Sequence, residues 1–182
     1  MNVTVTPERA SIPQPRVRID SGRWTSIRPI ERSDAPALFD FYAALSPESI
    51  RRRFLGARQA ATTGLVRTFV ERAETGLIAT VAGQGPDDGV IVGHAAVLDD
   101  GRGGAEIAIA VADQVQGFGI GRALMTNAVA LARQRGAREV SASLFADNVP
   151  MLRLLRGAGC TIRSDTIDVG VEEISLDLRA AV

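Results

Sequence analysis

The feature that most constrains this chain is a change of period across one glycine-rich turn. Before the turn, Ala105 to Val111 reads AEIAIAV, an apolar run of strand length. After it, Leu124, Ala128 and Leu131, with Met125, Val129 and Ala132 beside them, recur at helical spacing until Gly136 closes the helix. Between them stands Gln116-Gly117-Phe118-Gly119-Ile120-Gly121-Arg122. Glycines let a backbone turn tightly and approach a ligand closely. The helix that follows offers unpaired N–H groups and a positive dipole end, so the turn suits an anion such as a pyrophosphate, with Arg122 able to add a charge-assisted bond. Two familiar alternatives fail. A phosphate-cradling P-loop needs a Gly-Lys-Ser/Thr ending, and the chain has no lysine. A dinucleotide fingerprint spaces its glycines differently, and no early βαβ unit surrounds this one.

Periodicity on either side of the turn predicts a mixed α/β domain. Residues 1–22, with Pro7, Pro13 and Pro15, read as a flexible leader, and residues 23–180 as a single domain. A first strand runs from Trp24 to Ile30. Ser33 is expected to cap a helix whose Leu38, Phe41, Tyr42 and Leu45 form one apolar stripe. Ser46-Pro47-Glu48 starts another helix, with Ile50 and Phe54 on one face and Arg51, Arg52 and Arg53 around the rest of the turn. Leu65, Val66, Phe69, Val70 and Ala73 mark a third. Residues 76–82, 90–98 and 105–111 read as three neighbouring antiparallel strands, the first two joined by the turn signal at 85–89. Beyond the long helix come a strand at 139–145, a helix capped by Asp147 or Asn148 and ending at Arg156, and strands at 160–167 and 171–178.

Composition narrows the function. The chain has 182 residues, room for one compact domain, and its 21 basic and 21 acidic side chains cancel. That balance gives no electrostatic case for binding nucleic acid. One cysteine, Cys160, and one histidine, His94, exclude an internal disulfide and a Cys/His metal cluster. No apolar run is long enough to span a membrane and no secretory leader is present, so the expectation is a cytoplasmic protein without a membrane or nucleic-acid partner. Nothing in the pattern specifies an oligomeric state.

The stretch from Val111 to Cys160 resembles the acetyl-CoA-binding core of the GCN5-related N-acetyltransferase (GNAT) family. That family's pyrophosphate loop reads Gln/Arg-x-x-Gly-x-Gly/Ala, matched by Gln116, Gly119 and Gly121; its later pattern is matched by Asn148, Met151, Leu154 and Gly159. Residues 27–55 are similar to the acetyltransferase domain of bacterial protein lysine acetyltransferases, through Leu45, Ser46, Glu48, Ser49, Arg53 and Phe54. The resemblance implies a mostly antiparallel twisted sheet, splayed at an acetyl-CoA cleft and flanked by helices. It implies that residues 107–111, in particular Ile109, Ala110 and Val111, pair with the pantetheine arm. Backbone N–H groups of Gln116, Gly117, Phe118, Gly119, Ile120, Gly121 and Arg122 would hold the pyrophosphate, and Asn148 would lie near the thioester. The implied activity is acetyl transfer to a primary amine, a protein lysine first; a small-molecule amine and a non-catalytic acetyl-CoA-binding module are the alternatives. The partner domains to which such domains are often fused do not fit in a chain of this length.

Acetyl transfer needs a neutral amine, hence a base. Glu106 stands in an otherwise apolar strand, where a carboxylate is costly unless useful or paired, and partial desolvation there would raise its pKa. Its other readings are an exposed strand-end position or an ion pair with arginine. The resemblance favours the base, since the group's working glutamate lands on Glu106. Many family members carry a tyrosine acid where this chain has Leu155, and the one tyrosine is Tyr42. His94 and Cys160 read as packed residues, Arg51 to Arg53 as a solvated helix face that could also guide an acidic substrate or the cofactor's 3′-phosphate, and Asp147 as a helix cap.

Overall fold

A computed structural model describes residues 16–19, 23–56, 63–71, 76–82, 88–158, 161–168 and 170–180. The strands are β1 (Val17–Arg18), β2 (Trp24–Pro29), β3 (Gly76–Ala82), β4 (Ile91–Asp99), β5 (Ala105–Val111), β6 (Glu139–Phe145), β7 (Thr161–Asp168) and β8 (Val171–Asp177). The helices are α1 (Ala35–Ala43), α2 (Pro47–Arg53), α3 (Thr63–Glu71), α4 (Ile120–Gln134) and α5 (Val149–Arg156). The strands form one eight-stranded sheet in the order β1-β2-β3-β4-β5-β6-β8-β7. Every neighbouring pair is antiparallel except β5 and β6, and α4 is the crossover that a parallel pair requires.

Alternation along β4 and β5 sorts the two faces of the sheet. Gly93 and Val111 are partners and lie against α4, which packs across β3, β4 and β5. His94 and Ala110, the next pair, point to the other face, where His94 meets Tyr42 of α1 and Phe69 of α3. The core therefore has two halves. One is built from Leu124, Met125 and Ala128 under the sheet; the other from Leu38, Phe41, Tyr42, Val66 and Phe69 above it.

The sequence reading begins ordered structure at Arg23, but the chain is already paired at Val17 and Arg18, opposite Thr25 and Trp24. The Thr25 hydroxyl donates to the Val17 carbonyl at 3.3 Å, and the N–H of Ile19, a residue only 5% exposed, donates to the Arg23 carbonyl at 2.9 Å. Apolar Val17 and Ile19 at alternate positions are the physical reason. The rest of the leader, most of the 85–89 turn, Ala73, Gly159 and Cys160 lie outside the described residues.

The start of α1 also differs from expectation. Asp34, not Ser33, is its N-cap. Its carboxylate accepts both terminal nitrogens of Arg28, at 2.8 and 2.6 Å, and the Glu31 N–H at 2.7 Å. That fork holds the Asp34 carboxyl below the usual range, burial opposing it. Ser46 does cap α2, accepting from the Ser49 N–H at 3.2 Å, and Asn148 rather than Asp147 caps α5 through Met151 N–H.

Candidate active site

The sheet opens where β5 leaves β6. The parallel pairing is confined to Ala105 with Val140 and Glu106 with Ser141; beyond these the two strands part. A cavity of about 800 Å³ fills the gap, walled by residues 107–111 of β5, by Ser143 and Leu144 of β6, by the turn after β5, and by faces of α2 and α5. From Ile107 onward β5 pairs with β4 alone, so its other backbone edge faces this space.

The turn at the cavity's end has the character its glycines predict. Gly117 and Gly119 have φ of 85° and 91°, the left-handed region that a side chain disfavours. Gly119 begins α4 without a side-chain cap, and the first bond within the helix is from Ala123 N–H to Gly119 O, at 3.0 Å. The N–H groups of Ile120, Gly121 and Arg122 therefore have no partner inside the helix and carry its positive dipole end. A Cβ on Gly121 would stand 3.1 Å from Leu154, so that glycine lets α5 pack closely beneath the turn. Ile120 and Val115 are buried anchors on either side of the turn, while Phe118 is exposed.

The predicted cofactor residues come together here: Ile109, Ala110, Val111, residues 116–122 and Asn148 all line the cavity. Two of their side chains are already engaged. Gln116 Nε2 donates to Val111 O at 3.1 Å and to Ser49 Oγ at 3.3 Å, tying down the end of β5. Asn148 is buried as a helix cap.

Glu106 lies at the fork itself, the last β5 residue paired with β6, on the face shared with Ala108 and Ala110. The sequence predicts partial desolvation; the side chain is instead exposed, because α4 covers only the opposite face of β5. No described arginine pairs with it.

His94 is 1% exposed and accepts or donates a 2.8 Å bond between Nδ1 and the Tyr42 hydroxyl. Burial first, then the charge of Arg53, pulls its pKa down to about 3, which leaves it neutral and off the cavity wall. Burial likewise pushes the Tyr42 phenol up. Leu155 is fully buried.

Sequence reasoning missed Asp113. Its Oδ1 accepts the hydroxyls of Ser46 and Ser49 at 2.8 and 2.7 Å, and its Oδ2 the Ser46 N–H at 2.9 Å. Burial pushes its pKa up, but these bonds outweigh that and hold the carboxyl below the usual range. The arginine run was also misjudged in part. Arg51 and Arg52 are half-buried and bonded to Glu48 at 2.8 and 2.6 Å, bringing that carboxyl down to about 2, and Arg51 also lies over the Phe145 ring at 4.4 Å. Arg53 turns inward over the rings of Phe54 and Phe69. Among the described residues no group of His, Cys, Asp and Glu could hold a metal ion, and no helix is long and apolar enough to cross a membrane.

Comparison with known proteins agrees with this geometry. The family model described as the acetyltransferase (GNAT) family matches residues 35–159. The acetyltransferase Pat of Mycolicibacterium smegmatis is 26% identical over 164 residues, 88% of this chain and 48% of its own, so the chain spans about half that relative's length. Acetyltransferase PA5475 of Pseudomonas aeruginosa is 29% identical over 154 residues, 82% of either chain. Among solved structures, the GNAT domain of S. lividans PAT superposes with a TM-score of 0.76 at 28% identity, covering 91% of this chain and 97% of that one.

Proposed function

This chain belongs to the acetyltransferase (GNAT) family and is an acetyl-CoA-dependent N-acetyltransferase, and from that premise we propose that its acceptor is the side-chain amine of a protein lysine and its base is Glu106. Membership in an enzyme family sets aside the non-catalytic module. The likeness to proteins named Pat and PAT supports a protein acceptor. The single observation that carries the base is position: Glu106 is exposed at the fork where β5 and β6 part, on the face away from α4.

The residues fit the donor. The unpaired N–H groups at the start of α4 suit its pyrophosphate, and the free edge of β5 from Ile107 on suits a strand-like pantetheine arm. Acetyl-CoA, when bound, supplies a thioester carbonyl carbon open to an amine. Glu106 takes the proton that the ammonium must lose before its lone pair can form the new C–N bond. As that bond forms the C–S bond breaks, and the departing thiolate draws its proton from water. Neither Leu155, fully buried, nor Tyr42, committed to His94, is placed to give one. The compartment proposed for the reaction is the cytoplasm.

The test uses acetyl-CoA with lysine-bearing proteins and mass spectrometry of the products. Since the chain has no lysine, acetyl-lysine in the mixture can come only from the added protein. Glu106→Gln is expected to lower kcat by about 10²–10⁴-fold and to change its pH profile. An unchanged rate and profile would refute the base; acetylation of free amines but of no protein would refute the acceptor.

A further inference from the structure

We propose that Arg53 binds a carboxylate on the acceptor, set at a distance from the amine that is acetylated; the inference rests on reading the cavity as an amine acetyltransfer site. Arg53 ends α2 and forms part of the cavity wall. Its Nε is fully buried with no hydrogen-bond partner, the single such side-chain atom among the described residues. Its guanidinium lies 4.9 Å from the Phe54 ring centroid and 5.4 Å from that of Phe69. Arg53 as a whole is half-buried at the cavity wall, and a buried N–H of a cation left without an acceptor is costly unless a ligand supplies one.

Among the described residues no carboxylate meets Arg53 on the inner side. Behind Arg53 lie Tyr42 and His94, bonded to one another and both neutral; the Tyr42 oxygen also interacts with the guanidinium, but it carries no charge to balance it. On the cavity side the nearby carboxylates are committed: Glu48 to Arg51 and Arg52, Asp113 to Ser46 and Ser49. The counter-charge is therefore left for a ligand to bring.

The face of the sheet indicates which ligand. The anion-binding turn opens α4, which packs on the face carrying Gly93 and Val111. Arg53 stands over the opposite face, against Phe69 and acting on His94, and Glu106 lies on that same face. His94 pairs with Ala110, and Ala110 and Glu106 are two same-side steps apart on β5, ~13 Å along the strand. An anion at Arg53 thus belongs to the molecule whose amine meets Glu106, not to the phosphates at the turn. The span is too long for an α-amino acid acetylated at its α-amine, whose two groups share one carbon. It suits an amine on a flexible arm: a lysine beside an aspartate or glutamate in a protein, or the ε-amine of free lysine with its own carboxylate.

The experiment measures kcat/KM at saturating acetyl-CoA on two matched pairs: a lysine peptide with flanking glutamates against the same peptide with glutamines, and free lysine against lysinamide. The wild-type protein is expected to favour the carboxylate member of one pair by about tenfold, through KM. The pair that shows it identifies the carboxylate's source. Arg53→Met should bring that ratio close to one and Arg53→Lys should keep part of it. Because each ratio is read within a single preparation, partial unfolding of a variant affects both members alike. Turnover of all four acceptors without preference would overturn the role of Arg53 and leave acetyl transfer standing. A variant that raises KM for acetyl-CoA while keeping the ratio would overturn it too, assigning the counter-charge to a phosphate. Turnover of none by the wild type would refute the underlying reading, and this inference with it.

Discussion

Asp113 Oδ1 accepts the Ser49 hydroxyl at 2.7 Å, a contact between residues 64 positions apart. Ser46 gives the same carboxylate its hydroxyl and its N–H, and Gln116 reaches Ser49 from the other side. The turn that ends β5 and the first turn of α2 are thus one hydrogen-bonded unit. The loop proposed to hold pyrophosphate begins at one end of it, and Arg53 ends the helix at the other.

Breaking that unit is predicted to affect both substrates. Asp113→Ala leaves three donors without their acceptor and lets α2 drift from the turn. KM for acetyl-CoA and for the acceptor should both rise several-fold, with kcat changed less, because positioning rather than chemistry is lost. In a double-mutant cycle with Ser49→Ala, the pair should couple by about 0.5–1 kcal/mol in unfolding experiments, a modest figure because the site is exposed. Additive effects would show that the two residues act independently.

The Arg28–Asp34 fork is a different kind of contact, since Asp34 is 8% exposed and its bonds also start α1. Asp34→Ala strands a half-buried guanidinium and is predicted to cost ~3 kcal/mol. The sign of the pH effect follows from the lowered carboxyl pKa. The unfolded chain binds the proton more readily, so the stabilisation is complete above the unfolded pKa, near 3.9, and is lost as pH falls through the native value. Urea titrations from pH 6 to pH 2 should show a shallower acid loss in Asp34→Asn than in the wild type.

Elements bounded by punctuation were legible in the sequence, and contacts between distant elements were not. Gly76–Ala82, Ala105–Val111 and Glu139–Phe145 are strands with the bounds expected of them, because Gly, Asp or a helix break flanks each run. Asp113 could not be read, since its partners sit in another helix and Asp-Gln-Val carries no local signal of them. Arg53 shows a subtler limit. Three consecutive helical residues point about 100° apart, so a run of three arginines cannot all face solvent on a helix packed against a sheet. Which one turns in depends on where α2 docks. Glu106 misled for a related reason: both faces of β5 are apolar in sequence, yet α4 covers only the face it does not occupy. The glycines of the turn, by contrast, announced their backbone directly.

Gly119 provides a test of the turn. At φ of 91° a side chain is strained by about 1–2 kcal/mol, and the structure leaves open space there, with Val17 at 3.9 Å the one neighbour of a built Cβ. Gly119→Leu should therefore fold, with a lower Tm, while crowding the N–H groups that start α4. Acetyl-CoA affinity measured by calorimetry is predicted to fall by at least about tenfold. Affinity kept within twofold in a folded variant would remove the turn from the binding site.

His94 separates a stability effect from a catalytic one. Its pKa is lowered to about 3 by burial and by Arg53, against about 6.5 in the unfolded chain. Between those values the unfolded state holds a proton that the folded state does not. Stability must then rise with pH up to about 6.5 and decline steadily as pH falls below it. Replacing the imidazole with the uncharged amide of glutamine loses the Tyr42 bond, which lowers stability at neutral pH by about 1–3 kcal/mol. It also removes the titration, so unfolding free energy plotted against pH should flatten between 6.5 and 4. The pH profile of kcat, in contrast, should keep its shape, because His94 is buried against Tyr42 and the proposed base is Glu106. A profile that loses a limb in His94→Gln, with the stability curve unchanged, would mean that the histidine acts in the reaction itself.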